Sequence, residues 1–235
     1  MKKITICLYL LLLCFPGYLF GQHRRLQHRP YADQRLFHLG FTLGLHNQDL
    51  ILTQSGYVND NGEVWFSEIP HYIPGFSVGM IADMHLNRYL NLRTVPTLYL
   101  GEKYFVFREQ TSGEEYDTKI RNNYLSLPLH LKISSGRIDN FRPYFLLGGY
   151  GSIELGSRKK QAVLLKPYDF GIELGVGCDF YLPLFNLSPE LKFGFGLIDI
   201  LETDRTDLTD ESLQKYARSL SKATQRMITL SLHFE

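Results

Sequence analysis

The chain has 235 residues, with 25 Lys and Arg against 24 Asp and Glu and a formal net charge of +1. Such balance gives no electrostatic footprint for nucleic acid or for a strongly acidic substrate. Three cysteines, Cys7, Cys14 and Cys178, provide neither a disulfide framework nor a metal-ligand spacing, and no cofactor motif occurs.

Met1-Lys2-Lys3, the apolar run Ile4 to Phe20 and the small Gly21 before Gln22 read as a secretory signal peptide cleaved after Gly21. Residues 1–21 are therefore set aside, and Cys7 and Cys14 leave with them. Beyond that point no apolar run reaches the ~18 residues of a membrane helix. Residues 22–34 form a basic tail in which Arg24, Arg25 and Arg29, with His23 and His28, are opposed only by Asp33. Two roles stay open for it: a solvated leader, or a contact for an acidic partner.

From Arg35 onward the pattern has period two, the signature of half-buried strands. The first predicted strand, about Arg35 to His46, puts Phe37, Leu39, Phe41, Leu43 and Leu45 on one face and His38, Gly40, Thr42, Gly44 and His46 on the other. The second, about Gly75 to Leu86, sets Phe76, Val78, Met80, Ala82, Met84 and Leu86 against Ser77, Gly79, Ile81, Asp83 and His85. After a tight Asn87-Arg88-Tyr89 turn, the third sets Leu90, Leu92, Leu98 and Leu100 against Asn91, Arg93, Thr97 and Tyr99. The fourth, Asn123 to Ser134, opposes Leu125, Leu127, Leu129, Leu131 and Ile133 to Ser126, His130 and Lys132.

The fifth, about Phe141 to Leu155, has an open facing, because Leu146-Leu147-Gly148-Gly149 breaks the alternation. The sixth is the clearest: Phe170, Ile172, Leu174, Val176, Cys178 and Phe180 alternate with Gly171, Glu173, Gly175, Gly177 and Asp179. At ~3.3 Å per residue and a tilt of ~40° it rises roughly 25 Å, the height of the apolar band on an outer-membrane barrel. The seventh opposes Leu191, Phe193, Phe195 and Leu197 to Glu190, Lys192, Gly194 and Gly196, and the eighth opposes Ile228, Leu230, Leu232 and Phe234 to Thr229, Ser231, His233 and Glu235. Pro96 and Pro128 fall inside strands, where each removes a ladder donor.

Connections after the second, fourth and sixth strands are roughly three to six residues, and the others run from roughly ten to thirty, the rhythm of short periplasmic turns and long external loops. An eight-stranded interior is just wide enough to be filled by side chains. The many Leu and Phe of the apolar face cannot fit there, whereas glycines suit a narrow lumen, so the apolar face meets lipid. The expected architecture is an all-β, eight-stranded antiparallel transmembrane barrel over residues 35–235, located in the outer membrane of a Gram-negative cell. The 15 Tyr and 16 Phe suit interfacial girdles.

Nine charged or titratable residues then face the lumen: Asp83, His85, Arg93, His130, Lys132, Glu173, Asp179, Glu190 and Lys192. Buried charges need partners, so a structural network filling the barrel is expected, with Asp83 beside Arg93 and Glu190 beside Glu173 or Lys192. A porin is disfavoured by the same filling. A rim enzyme would draw on His38, His46, His71, His85 or His130 with Ser77 or Ser126, but no G-x-S-x-G or H-E-x-x-H occurs and no catalytic residue is assigned. In the last long connection, Asp210 to about Ala223 reads as a helix, with Thr209 as cap and Glu211 and Lys215 at i,i+4. Its stripe of Leu213, Tyr216, Ala217 and Leu220 would either cover the barrel mouth or dock a partner.

Three segments carry a resemblance: Arg29-Pro30-Tyr31 through Arg35-Leu36-Phe37-His38-Leu39-Gly40 to His46, then Tyr124-Leu125-Ser126-Leu127-Pro128-Leu129, and Arg142-Pro143-Tyr144 leading to Gly148-Gly149. With the terminal Leu230 to Glu235 they resemble the PorT family across the chain beyond residue 21. The resemblance implies an outer-membrane accessory of type IX secretion, supporting export of proteins with C-terminal sorting domains and, in gliding relatives, motility. Its partners would be other components of that system, with no small-molecule substrate and no cofactor. The rival expectation is a generic small barrel for adhesion or envelope stability.

Overall fold

The computed structural model describes residues 26–58, 63–68, 73–110, 113–156, 164–202 and 218–235. The predicted signal peptide, residues 1–21, and Arg24, Arg25, Leu213 and Tyr216 lie outside them. Among the described residues there are twelve strands: β1 (Phe37–Gln54), β2 (Trp65–Glu68), β3 (Gly75–Asn87), β4 (Leu90–Thr94), β5 (Thr97–Leu100), β6 (Glu102–Glu109), β7 (Glu115–Arg121), β8 (Tyr124–Ser134), β9 (Phe141–Glu154), β10 (Tyr168–Tyr181), β11 (Asn186–Gly196) and β12 (Leu220–Phe234).

β1 pairs with both β3 and β12, and the antiparallel chain of pairings β12–β11–β10–β9–β8 returns through β4 and β5 to β3. The sheet is closed. β4 and β5 are one stave broken at Val95-Pro96, so the ring has eight: β1, β3, β4/β5, β8, β9, β10, β11 and β12. The break lies beside Pro128 of β8, between the pairs Arg93↔His130 and Thr97↔Ser126. Two residues without an N–H therefore share one gap in the ladder, which Thr94 bridges with a hydroxyl bond of 2.6 Å to the Pro128 carbonyl.

The facing follows the alternation. Leu39 and Met80 are 75% and 73% exposed on the wall, whereas the intervening Asp83 and Glu173 are each 1% exposed. A face this apolar, running round a closed ring, is one that lipid must cover. The fifth predicted strand, β9, resolves its ambiguity without a slip: Leu146 points inward and is fully buried, while Leu147 points outward at 45% exposed. Glycine serves the narrow interior. The Tyr144 ring lies where a side chain at Gly177 would be, 2.4 Å from an ideal Cβ, and the Tyr150 ring stands 2.5 Å from a Cβ at Gly171.

The short connections at Arg88-Tyr89, 135–140 and 182–185 lie at one end, together with both described chain ends. There the His28 N–H donates to Asn140 Oδ1 at 2.9 Å, and the Asn186 N–H donates to the Glu235 carbonyl at 2.7 Å. This is the periplasmic end of an outer-membrane barrel.

At the other end the staves continue past the apolar wall, and the rule of facing inverts. Leu50, Trp65, Phe105, Phe107, Leu165, Ile200, Leu201, Leu220 and Ala223 form a buried apolar cluster over the mouth. Outside it stand polar pairs such as Arg226–Asp49 at 2.5 Å and Arg108–Glu115 at 2.7 Å. β6 and β7 prolong the staves β5 and β8, and β2 adds a third strand on β6. The predicted helix is corrected at its carboxyl end: Leu220 to Ala223 belong to β12, and Leu220 packs in this cluster, which removes it as a docking contact. A register shift opposite Thr53 and Gln54 turns both Leu220 and Ala223 inward. That three-residue spacing imitates a helical stripe.

Replacing outward Leu147 by Arg places a charge on the lipid wall and is expected to cost about 2–4 kcal/mol near the midplane. The same change at Ile51, exposed above the wall, is expected to stay within about 0.5 kcal/mol. Denaturant titrations of both variants folded in lipid vesicles check the difference, and equal losses would place the membrane boundary elsewhere.

Candidate functional site

Eight of the nine lumen residues are paired, His130, Glu173 and Lys192 in one triad and the other five in a group whose centre is Arg93 on β4, with no exposed surface. Its Nε lies 2.8 Å from Asp83 Oδ2, its Nη2 2.8 Å from Glu235 Oε1 and its Nη1 3.6 Å from Glu190 Oε2. From β4 to β11 the ring passes β8, β9 and β10 one way and β3, β1 and β12 the other. Glu190 therefore stands on the opposite wall, and the Arg93–Glu190 pair crosses the lumen.

The remaining charges are neutralised nearby. Glu173 meets His130 Nε2 at 2.7 Å and Lys192 Nζ at 3.0 Å. Asp179 takes Lys132 at 2.7 Å and the Ser188 hydroxyl at 2.7 Å, and Asn91 donates to Asp83 at 2.6 Å. The Tyr144 hydroxyl donates to Glu190 at 2.9 Å, and Lys132 Nζ sits 4.2 Å from the centre of the Tyr144 ring. His233 Nε2 lies 3.2 Å from Glu190.

Two sequence expectations change. Glu190 faces Arg93, Tyr144 and His233, not Glu173, and Lys192 takes Glu173 within hydrogen-bonding distance. His85 stands apart from the network, half-buried at the periplasmic rim with a buried Nδ1 that has no partner among the described residues. Sequence reasoning did not assign Tyr144, Ser188, His233 or Glu235 to the network. His233 and Glu235 were legible as inward by alternation, but Tyr144 lay on the strand whose facing was open.

Above the network, beneath the apolar cluster, lies a second polar layer. His46 Nδ1, Lys103 Nζ, Tyr124 OH, Ser152 Oγ, Glu154 Oε2 and Asp169 Oδ1 are buried there without hydrogen-bond partners among the described residues. Lys103 is the first inward residue of the extracellular arm. Burial pushes its ammonium down to about 7, although the carboxylates of Glu154, Asp49 and Asp169 pull the other way.

The periplasmic mouth is covered by the tail. Leu26 to Gln34 is docked on the rim, with a single 3-10 turn at Ala32–Gln34 and Ala32 buried. Arg29 Nη1 donates to the Glu235 carbonyl at 3.0 Å, so it is engaged within the chain. Asn140 Nδ2 donates to the Leu26 carbonyl at 2.9 Å, and the Tyr181 hydroxyl donates to Asp33. The Arg137 guanidinium stacks 3.7 Å over the Tyr181 ring and donates to the carbonyls of His28 and Arg29.

A model of the family described as "Outer membrane protein beta-barrel domain" matches residues 20–202. The chain belongs to that family. It is a β-barrel protein of the Gram-negative outer membrane. No curated protein matches it. Solved structures similar to it include the outer membrane protein OprG from Pseudomonas aeruginosa, at 12% identity, 83% of this chain, 93% of that one and a TM-score of 0.47. Neisserial surface protein A is similar at 10% identity over 83% and 95% of the two chains, with a TM-score of 0.40. Ail of Yersinia pestis, solved with the heparin analogue sucrose octasulfate, is similar at 13% identity over 83% and 96%, with a TM-score of 0.34. Likeness at this level carries no argument about what this family member binds.

Two outcomes follow for this barrel. Arg93→Met leaves three carboxylates without their cation and is expected to destabilise it by about 3–5 kcal/mol, whereas Arg108→Met, at an exposed pair, stays within about 1 kcal/mol. Urea midpoints of the two variants in vesicles check this. The second concerns Lys103, whose folded ammonium titrates near 7 and whose unfolded one titrates near 10.5. Between those values the unfolded arm binds a proton that the folded arm does not, so stability rises with pH across that window. Trp65, the single tryptophan and 5% exposed in the apolar cluster, reports it. Its fluorescence-monitored midpoint is expected to climb from pH 7 to pH 10, and Lys103→Met is expected to flatten the slope.

Proposed function

We propose that the protein is a non-conducting outer-membrane barrel that acts through contacts at its two mouths, without a catalytic step. The observation that carries this reading is the Arg93–Glu190 pair across the lumen, with Tyr144 and Leu146 filling the space beside it. A conducting lumen needs a continuous aqueous path, which this arrangement opposes at its middle. The wall faces lipid, so proteins reach only the periplasmic rim and the extracellular arm. The PorT resemblance supplies the partner class: components of type IX secretion, with the barrel supporting export of proteins that carry C-terminal sorting domains.

A second reading, adhesion or envelope stability, is favoured by the extracellular arm. Trp65 of β2 and Phe105 and Phe107 of β6 share an apolar core with Leu50 of β1 and with Leu220 and Ala223 of β12 beyond the membrane, a platform for an external contact.

Purified protein in planar bilayers is expected to give no stable conductance, and steady channels of porin size would reject the plugged reading. Deleting the gene is expected to deplete the secreted proteome of sorting-domain proteins. Unchanged export would leave the adhesion reading in its place.

A further inference from the structure

The periplasmic mouth contains a cavity of about 510 Å³ between the docked tail, the β3–β4 turn and the β8–β9 turn. That volume lies within the range of small-ligand sites, ~300–1,000 Å³. Arg88, Arg137 and Arg142 line it, with Asp33 as the single carboxylate. Asp33 stands 3.4 Å from Arg142 Nη1 and 3.9 Å from Arg137 Nη1.

The other bonds of these guanidiniums go to neutral groups. Arg142 donates to the carbonyls of Ser135 at 3.0 Å and Arg88 at 2.5 Å, and Arg137 donates to the Asp139 carbonyl at 2.9 Å and to Asn140 Oδ1 at 3.1 Å. Such bonds fix the forks in place but leave their charge uncompensated. Three cations against one carboxylate make an excess of two positive charges, held in a recess. His85 lines the same recess, and its Nδ1 has no partner among the described residues.

From this geometry we infer that the periplasmic mouth is a docking site for an acidic peptide segment, two closely spaced carboxylates of a periplasmic protein entering between Arg88, Arg137 and Arg142. The exposed Arg88 guanidinium can take a carboxylate through paired, charge-assisted hydrogen bonds, while Arg137 and Arg142, whose N–H groups already hold carbonyls and Asp33, attract it by their fixed charge. The recess lies on the inward side of the rim, between the tail and the β3–β4 and β8–β9 turns, where a soluble segment enters from the periplasm. The inference rests on the contact reading above and names the chemistry of one partner.

Its test uses the whole protein in nanodiscs of zwitterionic lipid, with a fluorescein-labelled hexaglutamate peptide followed by anisotropy. Binding is expected at low ionic strength and is expected to weaken as salt rises. Arg88 is the variant of choice, because its side chain is exposed over Tyr89 and does not hold the tail. Arg88→Gln is expected to weaken binding about fivefold, Arg88→Lys to retain most of it, and Arg108→Gln on the extracellular arm to change nothing. No binding at low salt, or equal binding by Arg88→Gln, overturns the site. Full competition by inorganic phosphate at equal total charge overturns the peptide assignment in favour of a small-anion pocket. None of these outcomes depends on conductance or on secretion, so failure here is distinct from failure of the proposed function.

Discussion

A guanidinium sealed from solvent must be neutralised within the protein, and Arg93 does this with carboxylates from two staves, Asp83 and Glu190, and with Glu235 just past β12. Removing such charges from water costs several kcal/mol each unless partners surround them. Much of the lumen is arranged by that demand. Asp83 on the neighbouring stave sets the local register, Glu190 ties the opposite wall, and Glu235 fixes the last residue of the chain at the ring. A slip of one residue in any of these staves would turn its charges toward lipid and its leucines into the lumen. The ion pairs thus act less as a source of net stability than as a lock on register, which the lipid outside enforces.

The same staves obey two opposite rules along their length. Up to about Leu45 on β1 and Leu100 on β5, apolar side chains point outward because lipid lies there. Beyond Asp49 and Glu102 water lies outside, and Leu50, Phe105 and Phe107 point inward. The inversion occurs within continuous backbone and needs no turn. It puts a water-excluding cluster over a polar layer, and that is why Lys103, just inside the boundary, is buried near Phe105 and Phe107 with its ammonium pushed down by burial.

Alternation made the membrane part of this fold readable. The facing of Phe170 to Phe180, the short turns at one end and the inward Asp83, Arg93, Glu173 and Asp179 all follow from period two and from the volume of an eight-stranded lumen. The extracellular arm was not readable by the same rule. Leu50-Ile51-Leu52 offers apolar residues in both phases, and Leu220 with Ala223 has helical spacing because a register shift separates them. Partners across the lumen were equally hidden: Glu190 meets Arg93 only because the ring closes, a relation between staves far apart in sequence. The tail appeared as loose basic chain because its anchors, Asn140, Tyr181 and Glu235, lie more than a hundred residues away.

The two mouths are closed by different physics, and that decides which one can respond to a partner. Opening the extracellular side exposes Trp65, Phe105 and Phe107, each a large buried aromatic whose truncation alone costs about 3–5 kcal/mol. The tail at the periplasmic side is held chiefly by hydrogen bonds to backbone carbonyls and to Asn140, worth a net ~0.5–1.5 kcal/mol each where neutral and ~1.5–3 kcal/mol where Arg137 donates, and replaceable by water. An acidic segment entering among Arg88, Arg137 and Arg142 would also compete with Asp33 for the same guanidiniums, and Asp33 is the tail's own charged anchor. Occupying the recess would therefore loosen the tail by direct exchange of one carboxylate for another.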